Sequence, residues 1–283
     1  MILVTAATAP VGRSIVEQLV AAGRPVRALT RDPEKSGLPA AADVVAGDLG
    51  DPAALRSAMA GVSAIFLLAV VPGFAPAFIA AAKDAGVGRI VFQSSGSVSD
   101  EAPEQPHAVA EFHHAIEQQL RESGLEWTFL RLELSASNAL QWAFDVPAQV
   151  KTGDVVRGPY ADAADAPIHP ADFAAVAIEA LSDERHAGEI YRITGPESLT
   201  HAEQIKLLGE ALGRPLRYQE LSIDAAREAM GPYAPADALL DDWARHIDDP
   251  APVNDTVEKL TGRPSRSYLQ WARDYQADFV AGQ

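Results

Sequence analysis

The sequence predicts an α/β fold in which helices cover both faces of a doubly wound, parallel sheet. Over residues 1–133, short apolar runs alternate with amphipathic segments of helical length, which is typical of successive βαβ units. The run AIFLL at residues 64–68 is apolar throughout, as in a strand buried on both faces. At residues 1–13 a strand passes through small residues directly into a helix. Together these observations favour a Rossmann-like sheet.

Apolar periodicity locates the elements of the first half of the chain. A first helix carries Val11, Ile15 and Leu19 at helical spacing and ends at Gly23. Further helices are predicted over residues 52–60, 74–85 and 108–123. Strands are predicted over residues 2–4, 25–30, 44–46, 64–68, 89–93 and 127–132.

The second half alternates less regularly. Short β-like pieces are predicted within residues 150–169, then a helix over 171–182, a strand over 189–193, a helix over 201–212 and two or three more helical segments. We therefore divide the chain into a dinucleotide-binding Rossmann core, residues 1–133, and a smaller C-terminal α/β substrate lobe, residues 134–283. The lobe is mixed with late elements of the sheet, so the two form one compact unit. We expect the lobe at the carboxyl edge of the strands, where ligands bind in such folds.

The composition narrows the classes of function. The 283 residues include no cysteine, which excludes disulfides and thiolate chemistry. Asp and Glu number 39 against 23 Lys and Arg, and the resulting charge of −16 argues against nucleic acids and anionic membranes as partners. The seven histidines are scattered, so no metal site is predicted. With no apolar run of membrane-spanning length and no room for a signal peptide before the first strand, we expect a cytoplasmic monomer or homodimer that acts on a small molecule.

Six stretches of the chain, in the same order, resemble one family. They are TAATAPVGR at residues 5–13, VRALTRDP at 26–33, GDL at 47–49, LRESGLEWTFLR at 120–131, GEIYRITGP at 188–196 and VEKLTGRP at 257–264. On these stretches the chain resembles the NmrA-like branch of the atypical short-chain dehydrogenase/reductase superfamily. The resemblance implies a Rossmann-like fold and NADPH-dependent reduction of ketones, quinones or dyes. Other members of the family bind the dinucleotide as redox-sensing regulators and do not turn it over.

The opening turn departs from the usual loop of three glycines. Gly12 keeps the third position, which lets the helix pack on the strand, whereas Ala6 and Ala9 occupy the first two. An alanine at position 6 costs about 1 kcal/mol if φ must be positive there. Peptide N–H groups and the helix N-terminus still favour an anion, so we predict dinucleotide binding. The alternative is a loop kept for packing, with cofactor binding weak or lost. The predicted contacts are Thr5, Ala6, Thr8, Ala9, Pro10 and Val11.

Arg31 follows the second strand, at the place where an acidic residue would bond the ribose of NAD. Because arginine suits a 2′-phosphate, Arg31 and Lys35 predict NADPH in preference to NADH. The alternative is that both are solvated charges of a turn.

Two further segments are predicted to contact the cofactor. The resemblance implies that Asp48 and Leu49 flank the adenine; the alternative for Asp48 is a cap of the next segment. The residues after the fourth strand, Ala69, Val70 and Val71, are small and apolar, so we predict that they lie along the flat nicotinamide ring. The alternative is that they form a loop without contact to the cofactor.

The usual catalytic tyrosine of the superfamily is missing. When the Y-x-x-x-K motif is aligned through the resemblance, Val109 takes the tyrosine position and His113 the lysine position. His113 is predicted to bond a ribose hydroxyl or to relay a proton near neutral pH. The alternative is a half-buried histidine whose hydrogen bonds are satisfied within the protein.

Serines follow the fifth strand at the carboxyl edge of the sheet. We assign Ser94 to the cofactor and Ser95, with His113, to catalysis; the alternative is ordinary turn chemistry. Relatives carry R-P-x-x-F-M-x-N after the sixth strand, and this chain has RLELSASN at residues 131–138, which lacks the proline and the Phe-Met pair that help wall the substrate pocket in the family. Aromatic residues beyond this stretch suit a flat hydrophobic substrate, or are core residues. The predicted substrate contacts are Gly96, Ser97, Leu134, Asn138, Trp142 and Tyr160.

These observations lead to three hypotheses of function. The first is an NADPH-dependent reductase of a small aromatic or quinone-like carbonyl compound, with a serine, His113 or water supplying the proton. The second is a cofactor-independent isomerase, cyclase or lyase that reuses the fold, which the changes at Ala6, Ala9 and Val109 suggest. The third is a regulator that binds NADP(H) without turnover.

Overall fold

The computed structural model describes residues 1–69, 71–102, 104–141, 145–231 and 236–280. The strands are β1 (Ile2–Val4), β2 (Val26–Thr30), β3 (Asp43–Ala46), β4 (Ala64–Leu68), β5 (Arg89–Ser95), β6 (Glu126–Leu132), β7 (Leu134–Ser135), β8 (Val155–Gly158), β9 (Ala164–Asp165), β10 (Pro167–Ile168), β11 (Ile190–Ile193), β12 (Leu199–Thr200) and β13 (Arg217–Glu220). The helices are α1 (Pro10–Ala21), α2 (Pro52–Met59), α3 (Ala75–Asp84), α4 (Ala108–Glu122), α5 (Asn138–Gln141), α6 (Val146–Thr152), α7 (Pro170–Ser182), α8 (His201–Ala211), α9 (Ile223–Met230), α10 (Ala236–Asp248), α11 (Thr256–Thr261) and α12 (Tyr268–Asp274).

The central sheet has the predicted doubly wound topology. Within the described residues its seven strands run in the order β3-β2-β1-β4-β5-β6-β11, and every neighbouring pair is parallel. The chain moves outward from β1 to β3 and then returns to β4 on the other side of β1. The strand order therefore reverses between β1 and β4, which is where ligands of such sheets bind.

Side chains of the sheet alternate between two hydrophobic clusters, one on each face. In β1, Leu3 faces the cluster formed with α2, α3 and α4, whereas Ile2 and Val4 face the cluster formed with α1 and α7. Phe66 of β4 lies edge-on to Phe173 of α7, with ring centroids 6.5 Å apart. Since both faces are covered by helices, the apolar runs at residues 64–68 and 90–92 are explained by burial on both sides.

The second half of the chain contributes to the sheet as well as to a separate core. β11 extends the sheet beside β6, and α7 packs on α1. The lobe has its core around the fully buried Trp271, with Val150 and Leu208 in the same cluster, whereas α9 and α10 form a small cluster of their own. Its short strands pair as β10 with β7, β12 with β9 and β13 with β8. Because β7 follows β6 directly, the lobe begins at the carboxyl edge of the sheet.

The structure differs from the predicted elements in several places, and α5, α6 and β13 were not predicted. The strand predicted over residues 89–93 continues to Ser95, because Ser94 and Ser95 pair with Arg131 and Leu132 of β6. After α8, the described residues contain four α-helices, where two or three helical segments were expected. Among the described helices, none is both long enough and apolar enough to cross a bilayer.

Candidate active site

The turn between β1 and α1 is built around a left-handed alanine. Ala6 has φ +47°, the conformation that glycine usually supplies. The turn is closed by a hydrogen bond from the Ala9 N–H to the Ala6 carbonyl, 2.9 Å long. Thr5 is buried, and its hydroxyl accepts a 2.9 Å bond from the Leu68 N–H, which joins the ends of β1 and β4. The backbone therefore adopts the path of a nucleotide loop despite the alanine.

Gly12 is required by close packing of α1 on this turn. A methyl group at Gly12 would lie 2.4 Å from the Ala6 carbonyl oxygen and 3.0 Å from the Ala7 Cα, which is closer than real contacts allow. Ala9 precedes the helix without a side-chain cap, and Pro10 occupies its first turn. The N–H groups at this end are thus left for an anion, and the loop fits a dinucleotide pyrophosphate.

Arg31 and Lys35 differ in how they are held. Arg31 is exposed just after β2 and has no hydrogen-bond or ion-pair partner among the described residues. The ammonium group of Lys35 lies 3.0 Å from the Asp32 carboxylate, and its side chain is 86% exposed. Arg31 is therefore the more available of the two for a ribose phosphate.

The other predicted cofactor residues lie along the same edge. Asp48 accepts a 2.8 Å bond from the Gly50 N–H, and the cap of α2 is Asp51, which accepts from the Ala53 and Ala54 N–H groups. Leu49 is buried in the cluster beneath α2. Thr8 is exposed, and Val11 is buried in the face of α1 that packs on the sheet. Ala69 is buried and Val71 half-buried, whereas Val70 lies outside the described residues.

A cavity of about 630 Å³ opens at the carboxyl ends of β5 and β6, between the sheet and the lobe. Tyr160 is not among its lining residues; it has φ +49° and packs in a small apolar cluster with Met230 and Leu240. Trp142 lies outside the described residues. The predicted site residues that line the cavity are Ser94, Ser95, Gly96, Ser97, His113, Leu134 and Asn138.

The turn after β5 is fixed by its own side chains. The hydroxyls of Ser95 and Ser97 are 2.7 Å apart, and the Ser95 hydroxyl also accepts from the Ser97 N–H. Gly96 leaves room for Glu133, whose carboxyl carbon would lie 2.4 Å from a methyl group at position 96. The turn consequently presents two linked hydroxyls to the cavity.

His113 lies at the cavity wall in a defined tautomer. Its Nδ1 is 2.8 Å from the Val109 carbonyl oxygen, and since a carbonyl can only accept, Nδ1 carries the proton. The ring stacks on Phe92, with centroids 5.9 Å apart. Burial lowers the pKa of His113, although the bond to Val109 acts the other way. His113 is therefore neutral near pH 7, and its Nε2 is a hydrogen-bond acceptor suited to a ribose hydroxyl.

Ser94 belongs to a buried ionic network under the cavity floor. Its hydroxyl donates a 2.6 Å bond to Glu117 of α4, which is fully buried. Arg131 of β6 donates to Glu117 and, through two bonds of 2.6 and 2.8 Å, to Asp100 in the loop before α4. This network ties Asp100, in the segment before α4, to the sheet. The sequence contained these residues, but nothing in their spacing showed that they meet.

The far wall of the cavity contains a group that the sequence did not indicate. Asp165 of β9 is hydrogen-bonded to His201 of α8 and to His246 of α10, and all three line the cavity. Three arginines line it as well, at positions 157, 192 and 245. No sequence motif links these residues, because they come from separate elements of the lobe.

Comparison with known proteins assigns the fold and the loop to a family. A family model described as NAD(P)H-binding matches residues 6–184. The chain belongs to this NAD(P)H-binding family. The match begins in the turn after β1 and covers both the loop and α4, so the predicted family resemblance and the predicted dinucleotide cofactor are confirmed.

Similar proteins are reductases. The chain is 41% identical to the (4-alkanoyl-5-oxo-2,5-dihydrofuran-3-yl)methyl phosphate reductase of Streptomyces griseus, over 99% of both chains. It is 35% identical to the NAD(P)H azoreductase of Xenophilus azovorans, over 99% of this chain and 100% of that protein. The Escherichia coli NADPH-dependent quinone oxidoreductase, solved with NADPH, has a TM-score of 0.76 and 28% identity, covering 98% of this chain and 100% of that one. The predicted class, an NAD(P)H-dependent oxidoreductase of small molecules, is confirmed at this level.

Proposed function

We propose that the chain is an NADPH-dependent reductase of a small, quinone-like conjugated carbonyl compound. The observation that carries the proposal is the 630 Å³ cavity beside His113 and the Ser95 turn, in which Val109 takes the place of the usual tyrosine acid. A conjugated carbonyl spreads the charge that it gains on reduction over several atoms. Reduction of an isolated ketone needs a strong acid beside its single oxygen, and reduction of a conjugated carbonyl compound depends less on such an acid.

The residues of the site suit this chemistry. When bound, NADPH supplies a hydride. The turn after β1 and the N-terminus of α1 would hold its pyrophosphate, and Arg31 its 2′-phosphate. His113 would accept a bond from the ribose, since its Nε2 carries no proton. The linked hydroxyls of Ser95 and Ser97 would orient a carbonyl oxygen of the substrate.

A second candidate substrate carries a phosphate group. The arginines at positions 157, 192 and 245 line the cavity, and arginine is well suited to bind phosphate oxygens. The S. griseus relative is named for a phosphate ester of an unsaturated furanone. We infer that a phosphorylated furanone of this kind is the alternative substrate class, bound with its phosphate toward the arginines.

Two measurements test the proposal. Titration of protein fluorescence with NADPH and NADH should show binding, tighter for NADPH. NADPH oxidation is then followed with 1,4-naphthoquinone, an azo dye and a (4-alkanoyl-5-oxo-2,5-dihydrofuran-3-yl)methyl phosphate. Oxidation that is faster with the furanone phosphate than with the quinone selects the second candidate.

Other outcomes would support the rival hypotheses. Tight NADPH binding without oxidation by any compound of the panel would favour a dinucleotide-sensing regulator. Absence of NADPH binding, together with turnover of a substrate without nucleotide, would favour the isomerase, cyclase or lyase hypothesis. A cytoplasmic location, a monomeric or homodimeric state, and the absence of nucleic-acid and membrane partners stay predictions from the sequence.

A further inference from the structure

Asp165 is held between two histidines on the lobe side of the cavity. Its side chain is buried, with the residue 4% exposed. His201 Nε2 lies 3.1 Å from one carboxylate oxygen, and His246 Nδ1 lies 2.8 Å from the other. Burial alone would raise the pKa of Asp165, but hydrogen bonds from His201 and His246 hold it below its ordinary value. Asp165 is therefore a fixed anion in the cavity wall.

His201 has both ring nitrogens occupied within the protein. Its Nε2 faces Asp165, and its Nδ1 lies 3.2 Å from the Pro159 carbonyl oxygen. His201 thus positions Asp165 and has no nitrogen left for a ligand.

His246 is bonded on one side only. Its Nδ1 donates to Asp165, whereas its Nε2 has no partner among the described residues, and the side chain is 21% exposed at the cavity wall. The carboxylate fixes the ring so that Nδ1 always keeps its proton. A second proton, when present, is then on Nε2 and faces the cavity.

The charges around His246 favour its protonated form. The hydrogen bond to Asp165 raises its pKa against the effect of burial, and the negative charges of Asp165, Asp242 and Glu133 act in the same direction. Arg245, the preceding residue, is paired with Asp242, and Arg192 is paired with Glu133, so the buried Asp165 carboxylate is the dominant negative charge. Glu133 lies against Gly96, next to the Ser95 turn, so the field around His246 includes groups on the cofactor side of the cavity.

Several other described groups at the cavity are already engaged in hydrogen bonds or are weaker acids. His113 presents an unprotonated Nε2, Ser95 is bonded to Ser97, and the Tyr218 hydroxyl donates to the Pro159 carbonyl. Burial raises the pKa of Tyr268, which also lines the cavity, so its hydroxyl is a weaker acid than that of an ordinary tyrosine. His107 caps α4 by accepting a 3.2 Å bond from the Ala110 N–H at Nδ1. Val109 has no acidic group.

We propose that His246, oriented by Asp165, donates the proton that completes reduction of the substrate. The proposal rests on the proposed function. Gain of a hydride by a quinone-like compound leaves an oxyanion, here on the conjugated oxygen that faces the lobe wall rather than on the one held by Ser95 and Ser97. The Nε2–H bond of His246 breaks and an O–H bond forms on the substrate, leaving neutral His246 with its Nδ1–H still bonded to Asp165. Water entering the cavity then reprotonates Nε2, so that one hydride and one proton have been added overall.

The variant His246→Asn tests the proposal. Its amide nitrogen can replace the Nδ1 donor to Asp165, which keeps α10 in place, but it cannot deliver a proton. With 1,4-naphthoquinone and NADPH, we expect kcat to fall about 100-fold with little change in KM or in NADPH affinity. The wild-type kcat should decline as the pH rises through the raised pKa of His246, and this alkaline decline should disappear in the variant.

A measurement without cofactor separates this inference from the proposed function. A pH titration of the histidine ring signals by NMR, with cofactor-free protein, should give His246 a pKa above the ordinary histidine value. The variant Asp165→Asn should lower that pKa. His114→Gln is the matched control, because His114 is bonded to Gln118 on α4 and does not line the cavity. An unchanged kcat and alkaline decline in His246→Asn, or an unchanged His246 titration in Asp165→Asn, would overturn the proposal. If the wild-type protein fails to oxidise NADPH with every compound of the panel, the proposed function is overturned instead. The NMR titration then still decides whether Asp165 controls the pKa of His246.

Discussion

The guanidinium group of Arg131 donates to both carboxylate oxygens of Glu117, at 3.0 Å from Nε and 2.7 Å from Nη2, and both side chains are buried. The same guanidinium holds Asp100, whose side chain is 49% exposed. The hydrogen bond from Arg131 keeps the pKa of Asp100 below its ordinary value. The pair therefore connects the floor of the cavity to the loop above it.

Removal of Glu117 should destabilise the protein much more than removal of Asp100. In Glu117→Ala the Arg131 charge stays buried without its inner partner, which costs about 3–5 kcal/mol of unfolding free energy. Asp100→Ala removes a partner that water can replace, so its cost should be well below that of the first variant. Urea unfolding followed by circular dichroism gives both values; equal losses would contradict the assignment of the buried pair as the anchor.

Addition of a methyl group at Gly12 should destabilise the protein, whereas its removal at Ala6 should have little effect. Gly12→Ala forces a contact with the Ala6 carbonyl, and overpacking of this kind costs about 1–3 kcal/mol. It should also weaken NADPH binding, because α1 must move away from the turn. Ala6→Gly relieves a left-handed alanine, which offsets the extra chain entropy of glycine, so stability should stay within about 1 kcal/mol of wild type. Urea unfolding and NADPH titration of the two variants check this; a marked loss of stability in Ala6→Gly would show that the turn is not strained.

Arg31 should determine the preference for NADPH. Loss of a charged hydrogen bond to phosphate costs about 1.5–3 kcal/mol, so Arg31→Ala should weaken NADPH binding by roughly 10- to 100-fold and leave NADH binding almost unchanged. Lys35→Ala is the matched control, because Lys35 is paired with Asp32 and extends into solvent. Fluorescence titration with both nucleotides measures the effect. Equal losses for NADPH and NADH in Arg31→Ala would contradict recognition of the 2′-phosphate.

His113 should make the wild type less stable in acid. Burial keeps its pKa in the folded state below the ordinary value, so the unfolded chain binds the proton more readily. The stability that neutral His113 contributes is complete above the unfolded pKa of about 6.5 and is lost as the pH falls below it. Relative to His113→Asn, the unfolding free energy of the wild type should fall more steeply between about pH 7 and pH 5. The unfolding free energies of both proteins are measured by urea unfolding across this pH range. If the two plots of unfolding free energy against pH are parallel, His113 is not buried as a neutral ring. His169 and His246 are present in both proteins, so their contributions cancel in the difference.

The sequence by itself determined the succession of strands and helices along residues 1–133 and the strand–turn–helix opening. The continuous apolar character of β1 and β4 follows from burial on both faces, and it is visible in a short window of sequence. The packing role of Gly12 was also predictable, because only glycine allows a helix to lie against the turn. The boundary of β5 was less accurate, since Ser94 and Ser95 are polar and join the strand only through their pairing with β6.

The tertiary structure decided which polar groups meet in the cavity. His201 and His246 are 36 and 81 residues from Asp165 along the chain, and they reach it from α8 and α10. Tyr160, which the sequence placed at the substrate, has a left-handed backbone and packs in an apolar cluster instead. Whether a histidine donates or accepts depends on the atom opposite each ring nitrogen, such as the Val109 carbonyl for His113 and the Asp165 carboxylate for His246. Such contacts are made between distant segments after folding, so local periodicity carries no information about them.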